Sequence, residues 1–356
     1  MKICYFGIYD PEFGRNKVYF SGLRDNGHEI IECRDDSRGL LKYFHLARRH
    51  RAVLKAGGYD TMIVGYPGHV AVPFAKILSK KPVVFDALCT LYEGEVISRG
   101  KYRYNPFMRS WISFIDMAAV KTADVILVET NAQKEFFIEK FNLPPGKVFR
   151  VFTGTDDEVP AEKSIKKRGT FTAVFRGKFL PEAGLKYIVE AAKALEGRGV
   201  DMLIIGSGHV EKEVASLIES LGPSNLEWIS DHLSTEELTE KMMSCHVSLG
   251  QFEKHERLER TIPHKAFESL ARWLPYITGR AGGISELLTD GKDCLMVNCG
   301  DSPDLALKIL ELKNDPGLRE ALAKNGHELY ESRLSPGKLA EDVVNAILSQ
   351  KSHLRI

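Results

Sequence analysis

The chain has 356 residues, with 49 Lys and Arg against 48 Asp and Glu for a net charge of +1, and is 44% hydrophobic and 27% charged. That is the mix of an ordinary soluble globular protein, and at roughly 100–200 residues per domain the length suggests two domains. No run approaches the ~18 consecutive apolar residues of a membrane-spanning helix, and a net charge near zero argues against a dedicated nucleic-acid binder, whose phosphate contacts need a basic surplus.

The opening MKICYFGIYDPEFGR reads as a first strand rather than a leader peptide. A helical stretch from about Val18 to Asp25 stops at Asn26-Gly27, a helix C-cap signal. HEIIEC, TMIVGY, PVVFDAL and DVILVET are short apolar runs expected as buried strands, and PFAKILSK and NAQKEFFIEKF are amphipathic segments between them. Strands without polar alternation, separated by helices, predict parallel βαβ units covered on both faces. Two runs here are basic: 38–55 holds Arg38, Lys42, Arg48, Arg49, Arg51 and Lys55 with no acid, and 98–115 holds Arg99, Lys101, Arg103 and Arg109 beside Tyr102, Tyr104, Phe107, Met108 and Trp111. Such segments either dock on anionic lipid headgroups or are solvated helix faces.

The pattern pauses at 153–169, a polar linker candidate, and then restarts. FTAVFRG, DMLIIGSG, LEWIS, HVSLGQF, PYITGR and CLMVN read as strands, with helices around 184–197, 209–221, 234–244, 263–273 and 303–313. The expected organisation is two doubly wound α/β domains, 1–160 and 165–334, with a helix at 335–350 able to return to the first. Open parallel sheets bind ligands beyond the carboxyl ends of their strands, so the cleft between the lobes is the expected site. The charge divides too: residues 1–160 hold 23 Lys and Arg against 19 Asp and Glu, and residues 161–356 hold 26 against 29. Six scattered cysteines without a CxxC pair fit a reducing, cytoplasmic setting.

Chemistry concentrates in the second half. In VFRGKFLPEAG, Gly177 and Lys178 end a strand, where a cation beside backbone amides suits a phosphate. Gly206-Ser207-Gly208 makes a second tight strand-to-helix turn. In the segment 260–297, Thr261 or a neighbour is expected to cap a helix begun by Pro263, with Lys265 in its first turn and Glu268 three residues on, on the same side. A first-turn Lys opposes the helix dipole, which suggests a nearby anion, and Glu268 is suited to accept hydrogen bonds from a ribose diol. Each glycine turn alone is also what any α/β protein has, and the Lys–Glu pair alone is also a solvated i,i+3 pair. His69 in GYPGHV is a candidate for reaching an acceptor, and no pair of histidines has metal-ligand spacing.

Taken together, GKF-P-xx-G, IIGSG, IPxKxFExLAxxxPxITG and ELLxDGxxCLMV resemble glycosyltransferase family 4, and looser first-half motifs (VVFDALCTLYE, IDMAAVKTADVILVET) extend the likeness over nearly the whole chain. The resemblance implies the GT-B fold, two Rossmann-like doubly wound parallel-sheet domains facing a cleft. It implies transfer of a sugar from a UDP- or GDP-linked donor, with retention, to a glycan or lipid-linked glycan; the basic, aromatic runs of the first half add an expected peripheral contact with an anionic membrane at its inner face, and the near-zero charge leaves no nucleic-acid partner expected. By position, Lys178 takes the donor diphosphate and Glu268, the second glutamate of E-x7-E, the ribose. Gly177, Gly206, Gly208, Ser230 and His232 frame the nucleotide, and Gly282, Gly283 and Glu286 form a Gly-rich turn beside it. On the acceptor side the resemblance points to Gly14, Arg15, Asn16 and Asp86. Two positions depart: the first glutamate of E-x7-E is Arg260, and a second phosphate lysine is Ala183, for which Lys265 and Arg260 are placed to compensate. No Asp-x-Asp occurs, so no metal and no cofactor is expected. The alternatives are a nucleotide-sugar 2-epimerase of the same fold and a non-catalytic nucleotide-sugar-binding subunit.

Overall fold

A computed structural model of the chain describes residues 1–37, 39–156 and 165–353; Arg38, in the first basic run, and 157–164, in the middle of the polar stretch, lie outside the described residues. The chain divides into two compact units, Met1–Asp156 with Arg333–Ile356, and Asp157–Ser332.

In the first unit, β1 (Lys2–Gly7), β2 (Glu29–Arg34), β3 (Thr61–Val64), β4 (Val83–Leu88), β5 (Val125–Val128) and β6 (Val148–Arg150) form one parallel sheet in the order β2-β1-β3-β4-β5-β6. TMIV, VVFDAL and VILV are buried at every position, as strands sandwiched between helices must be. Right-handed crossovers put Leu41–Lys55, Val72–Leu78, Pro106–Thr122 and Asn131–Phe141 side by side on one face. Helix Gly14–Asp25 lies against the C-terminal helix Pro336–His353. Gly22 makes that approach possible, because a Cβ there would lie 1.9 Å from the Pro336 carbonyl oxygen. Asn26 Nδ2 donates to Gly337 O at 2.8 Å across the same contact.

Helix Gly14–Asp25 starts before the predicted Val18, because Phe13 stands at its N-cap without a side-chain hydrogen bond and so leaves no start signal in the sequence. Helix Pro106–Thr122 carries the signal in full. Asn105 Oδ1 accepts from Met108 N at 3.0 Å, and Pro106 follows in the first turn.

The second unit repeats the plan. β7 (Phe171–Arg176), β8 (Val200–Ile205), β9 (Leu226–Ile229), β10 (Val247–Leu249), β11 (Tyr276–Gly279) and β12 (Leu295–Val297) form a parallel sheet in the order β12-β11-β10-β7-β8-β9. Phe175, Phe179, Ile188, Ile204, Phe252 and Leu305 belong to its core, each buried large side chain contributing about 1.5–3 kcal/mol. The strand order reverses between β7 and β10, and that switch point opens a crevice at their carboxyl ends. Among the described residues no helix is long and apolar enough to cross a membrane.

Candidate functional site

Three turns at the carboxyl ends of β7, β8 and β9 enclose a cavity of about 420 Å³, a volume typical of small-molecule sites. Arg176, Gly177 and Lys178 come from the first turn, Gly206 and Ser207 from the second, and Ser230, Asp231 and His232 from the third. The first two turns are laced together by backbone hydrogen bonds, Gly177 N to Ile205 O at 3.0 Å and Phe179 N to Ser207 O at 2.9 Å. Gly206 is required where it stands: its φ is +136°, and a Cβ would lie 2.1 Å from Gly177 O. Trp228 Nε1 donates to Gly206 O at 2.9 Å and its ring stacks on Phe179, 5.6 Å between centroids, which holds the second turn from below.

Helix His264–Ala271 brings the next two groups. No side chain caps it; Thr261 Oγ1 donates instead to Arg257 O at 2.9 Å, which corrects the expectation of a Thr261 cap. Lys265 is 8% exposed, and its Nζ sits over the Phe175 ring, 4.6 Å from the centroid, and 3.2 Å from where a Gly177 Cβ would be. A larger residue at position 177 would therefore collide with it. No carboxylate lies within 4.0 Å of Nζ, and no hydrogen-bond acceptor is in reach among the described residues. Burial pushes the ammonium down to about 8, although Glu268 pulls the other way.

Glu268, one turn on, is buried and forms an ion pair with Arg176, and shares a hydrogen bond with His264 Nδ1 at 3.2 Å. Burial acts to raise its pKa, but His264, Arg176 and Arg272 outweigh it and hold the carboxyl well below the usual range. Only Oε1 is engaged; Oε2 is buried with no hydrogen-bond partner. The result is a carboxylate kept ionised with one acceptor oxygen unspent, next to a buried ammonium and an exposed one, Lys178. That combination can hold a polyanion and a hydroxyl at once.

The Gly-rich turn is a separate cluster. Gly282 N donates to Glu259 Oε2 at 2.8 Å, and a Cβ on Gly283 would lie 2.4 Å from Thr261 O. Glu259 thus puts a carboxylate at the head of the short helix Gly282–Ser285, and the half-buried Arg260 stands beside it in sequence. Glu286 closes that helix. Leu258, Glu259, Arg280 and Ala281 line a second cavity, of about 590 Å³, with Glu253, Asn298 and Cys299.

The residues expected on the acceptor side lie in the first unit. Gly14, Arg15 and Asn16 form the first turn of a helix rather than a loop, and Arg15, Asn16 and Asp86 are fully buried. Arg15 Nε donates to Asp86 Oδ1 at 2.7 Å and its Nη1 to Val151 O at 2.9 Å. Asn16 Nδ2 donates to Asp10 O at 2.8 Å and Tyr66 O at 2.7 Å, while its Oδ1 accepts from Tyr5 at 3.0 Å. These side chains tie the helix Gly14–Asp25 to β4 and to the segment after β6, with Arg15 Nη2 and Asp86 Oδ2 buried without a hydrogen-bond partner. His69 is buried as well, its Nε2 3.0 Å from Cys89 O, and burial pushes its pKa down to about 4.

Sequence reasoning missed Arg176 and Phe175. The signal was present in FRGK, where strand alternation puts Arg176 and Lys178 on one side of the chain two residues apart. Among the described residues, no group of three or more His, Cys, Asp or Glu could hold a metal ion.

Residues 156–329 match the family described as glycosyl transferases group 1. The chain is similar to the alpha-D-kanosaminyltransferase of Streptomyces kanamyceticus, 25% identical over 77% of this chain and 68% of that protein. It is similar also to the lipopolysaccharide core biosynthesis glycosyltransferase LpsD of Rhizobium meliloti, 28% identical over 46% of each. A crystal structure of HepE from Anabaena with UDP-glucose has the same fold, at a TM-score of 0.70 and 15% identity over 98% of this chain and all of that one.

Proposed function

We propose, from the match of residues 156–329 to the group 1 glycosyltransferases, that the chain moves a sugar from a nucleotide-diphosphate sugar, UDP- or GDP-linked, to a hydroxyl of a glycan or lipid-linked glycan, with retention and without a metal or cofactor. The second unit takes the donor and the first the acceptor. The observation that carries this reading is the pair of unpaired ammonium groups, Lys265 Nζ and Lys178 Nζ, beside the Gly177 turn at a cavity whose neighbouring carboxylate, Glu268, keeps one oxygen unspent. The names of the solved relatives, complexes with UDP and with UDP-glucose, support a nucleotide sugar as the ligand of that cavity.

In such a reaction the bond between the anomeric carbon and the diphosphate oxygen breaks through an oxocarbenium-like transition state, and negative charge grows on the departing phosphate. Lys178 and Lys265 stabilise that charge. They are fixed before the reaction, so little reorganisation is needed. Glu268 Oε2 accepts from the ribose diol and fixes the nucleoside. The leaving phosphate itself takes the proton of the acceptor hydroxyl on the same face, so no carboxylate nucleophile is required. Arg260, in place of a glutamate, and the Gly282-Gly283 turn with Glu286 bear on the choice of sugar.

The test is to incubate the protein with a panel of UDP- and GDP-sugars, with and without a chelator, and to follow nucleotide release and the configuration of the recovered sugar. Chelator-insensitive release with retention is the expected result. Epimerised donor without release would make the protein an isomerase; binding without either would make it a non-catalytic subunit; loss of release with chelator would overturn metal independence.

A further inference from the structure

The cavity at the ends of β7, β8 and β9 is lined unevenly. Its β7 side holds the cations Arg176 and Lys178. Its β8 and β9 side is apolar, lined by Ile205, Leu233 and Leu238, which pack in one cluster with Val174 and Leu203. Asp231 stands on the turn after β9, on that apolar side, and is the one carboxylate that lines the cavity among the described residues. It is exposed, and no cation among the described residues pairs with it.

This polarity constrains what fills the cavity. Diphosphate oxygens belong with Lys178 at the β7 turn, so a nucleotide extends along the sheet edge toward β9 and lays its base against Ile205, Leu233 and Leu238. A flat heterocycle covers such a wall with one face and turns its polar edge to the few polar groups beside it. A carboxylate among those groups is acceptor-only, with two oxygens side by side. It attracts N–H groups and repels carbonyl oxygens and unprotonated ring nitrogens. Guanine offers two adjacent donors, N1–H and the N2 amino group. Uracil offers one, N3–H, between two carbonyl oxygens. Adenine and cytosine each offer an amino group beside a ring nitrogen that only accepts. Of these bases guanine alone matches both oxygens of Asp231, through a pair of charge-assisted hydrogen bonds.

We propose that the cavity selects guanine, with Asp231 accepting from N1–H and from the N2 amino group, so that the donor is a GDP-linked sugar. This inference rests on the reading of the second unit as the donor unit, and narrows its nucleotide from two bases to one. Asp231 is a specificity residue in this assignment, since the bond that breaks lies at the other end of the nucleotide.

The test is calorimetric titration of the full chain with GDP, inosine diphosphate, UDP and ADP at one pH and salt concentration. The diphosphate is common to all, so the differences report the base. GDP should bind ~10-fold or more tighter than UDP and ADP, and inosine diphosphate, which lacks the N2 amino group, should bind ~5-fold or more weaker than GDP. Asp231→Asn puts an amide donor where one acceptor oxygen stood. It should lose most of the preference for GDP, leave UDP binding unchanged, and gain affinity for xanthosine diphosphate, whose C2 carbonyl accepts from that amide. The side chain is exposed and the substitution keeps its size, so circular dichroism should be unchanged. UDP binding as tight as GDP, or an equal loss for every diphosphate in Asp231→Asn, overturns the base assignment and leaves the donor cavity standing. No binding of any diphosphate overturns the donor reading, and this inference with it.

Discussion

Each unit contains an ionic centre near the carboxyl end of its sheet, and the two behave differently. Arg15 and Asp86 in the first unit are both fully buried, 2.7 Å apart, and the guanidinium also reaches the backbone at Val151. Burial pushes the Asp86 carboxyl up, against the pull of Arg15. In the second unit Arg176 is about a third exposed, Glu268 keeps an unpartnered oxygen, Lys265 has no anion, and a cavity lies alongside. The first centre also leaves Arg15 Nη2 and Asp86 Oδ2 without a partner, but both side chains are closed to solvent, so it acts as a brace. The second is incomplete by one anion and open on one side, which is what a binding site requires. A cation and a carboxylate at a strand end therefore do not identify a site; an unmet charge beside open volume does.

The largest effect should come from breaking the brace. Asp86→Ala strands a buried guanidinium and should cost about 3–5 kcal/mol, read as a lower urea midpoint with unchanged slope. A variant that kept its stability and lost turnover would make the first centre a site and end the contrast. In the second unit the order reverses. Lys178→Ala and Glu268→Gln should each cut turnover ~10²-fold or more, about 3 kcal/mol of transition-state stabilisation. Unfolding of Lys178→Ala should stay within ~0.5 kcal/mol of the parent, because the side chain is exposed. Near-parental rates in both would move the donor site elsewhere.

A smaller effect is tied to pH. With Lys265 at about 8, nucleoside-diphosphate affinity should fall ~10-fold between pH 7 and pH 9 as the ammonium is lost, and Lys265→Met should bind weakly with no such slope. The stability effect has the opposite sign. A lysine whose folded pKa lies below its unfolded value penalises the fold while charged, so the free protein should gain stability from this group as pH rises from about 8 to the unfolded pKa. Bound nucleotide should remove that gain, which a pair of thermal melts with and without UDP would reveal. Smallest is Ser234→Ala. Ser234 and Glu237 form a reciprocal cap on helix Thr235–Ser244, directly after the Ser230–His232 turn. Its loss should cost about 1 kcal/mol and leave turnover within ~3-fold, unless the turn depends on that helix for its position.

Much of this molecule was legible before folding. The runs TMIV, VILV and FTAVFR are too uniformly apolar for a half-exposed strand, and they lie fully or almost fully inside. Gly177, Lys178, Gly206, Ser230 and His232 were grouped by the family resemblance, and they line one cavity because each follows a strand of the same parallel sheet, whose strands deliver their carboxyl ends to one edge. The Gly282-Gly283 turn was grouped with them, and its contacts run to Glu259 and Thr261.

The sequence by itself determined what is local or periodic: the α/β alternation, the two sheets, the capped helices and the family likeness, all of which follow from residue spacing along one chain. Tertiary structure alone decided which charges are spent. Arg15 and Asp86 are 71 residues apart and Arg176 and Glu268 are 92 apart, and nothing in either neighbourhood says that the first pair is sealed from solvent while the second stands beside a cavity with a lysine unmet. Burial and pairing are properties of the packed volume, and the near-neutral total charge contains no record of them.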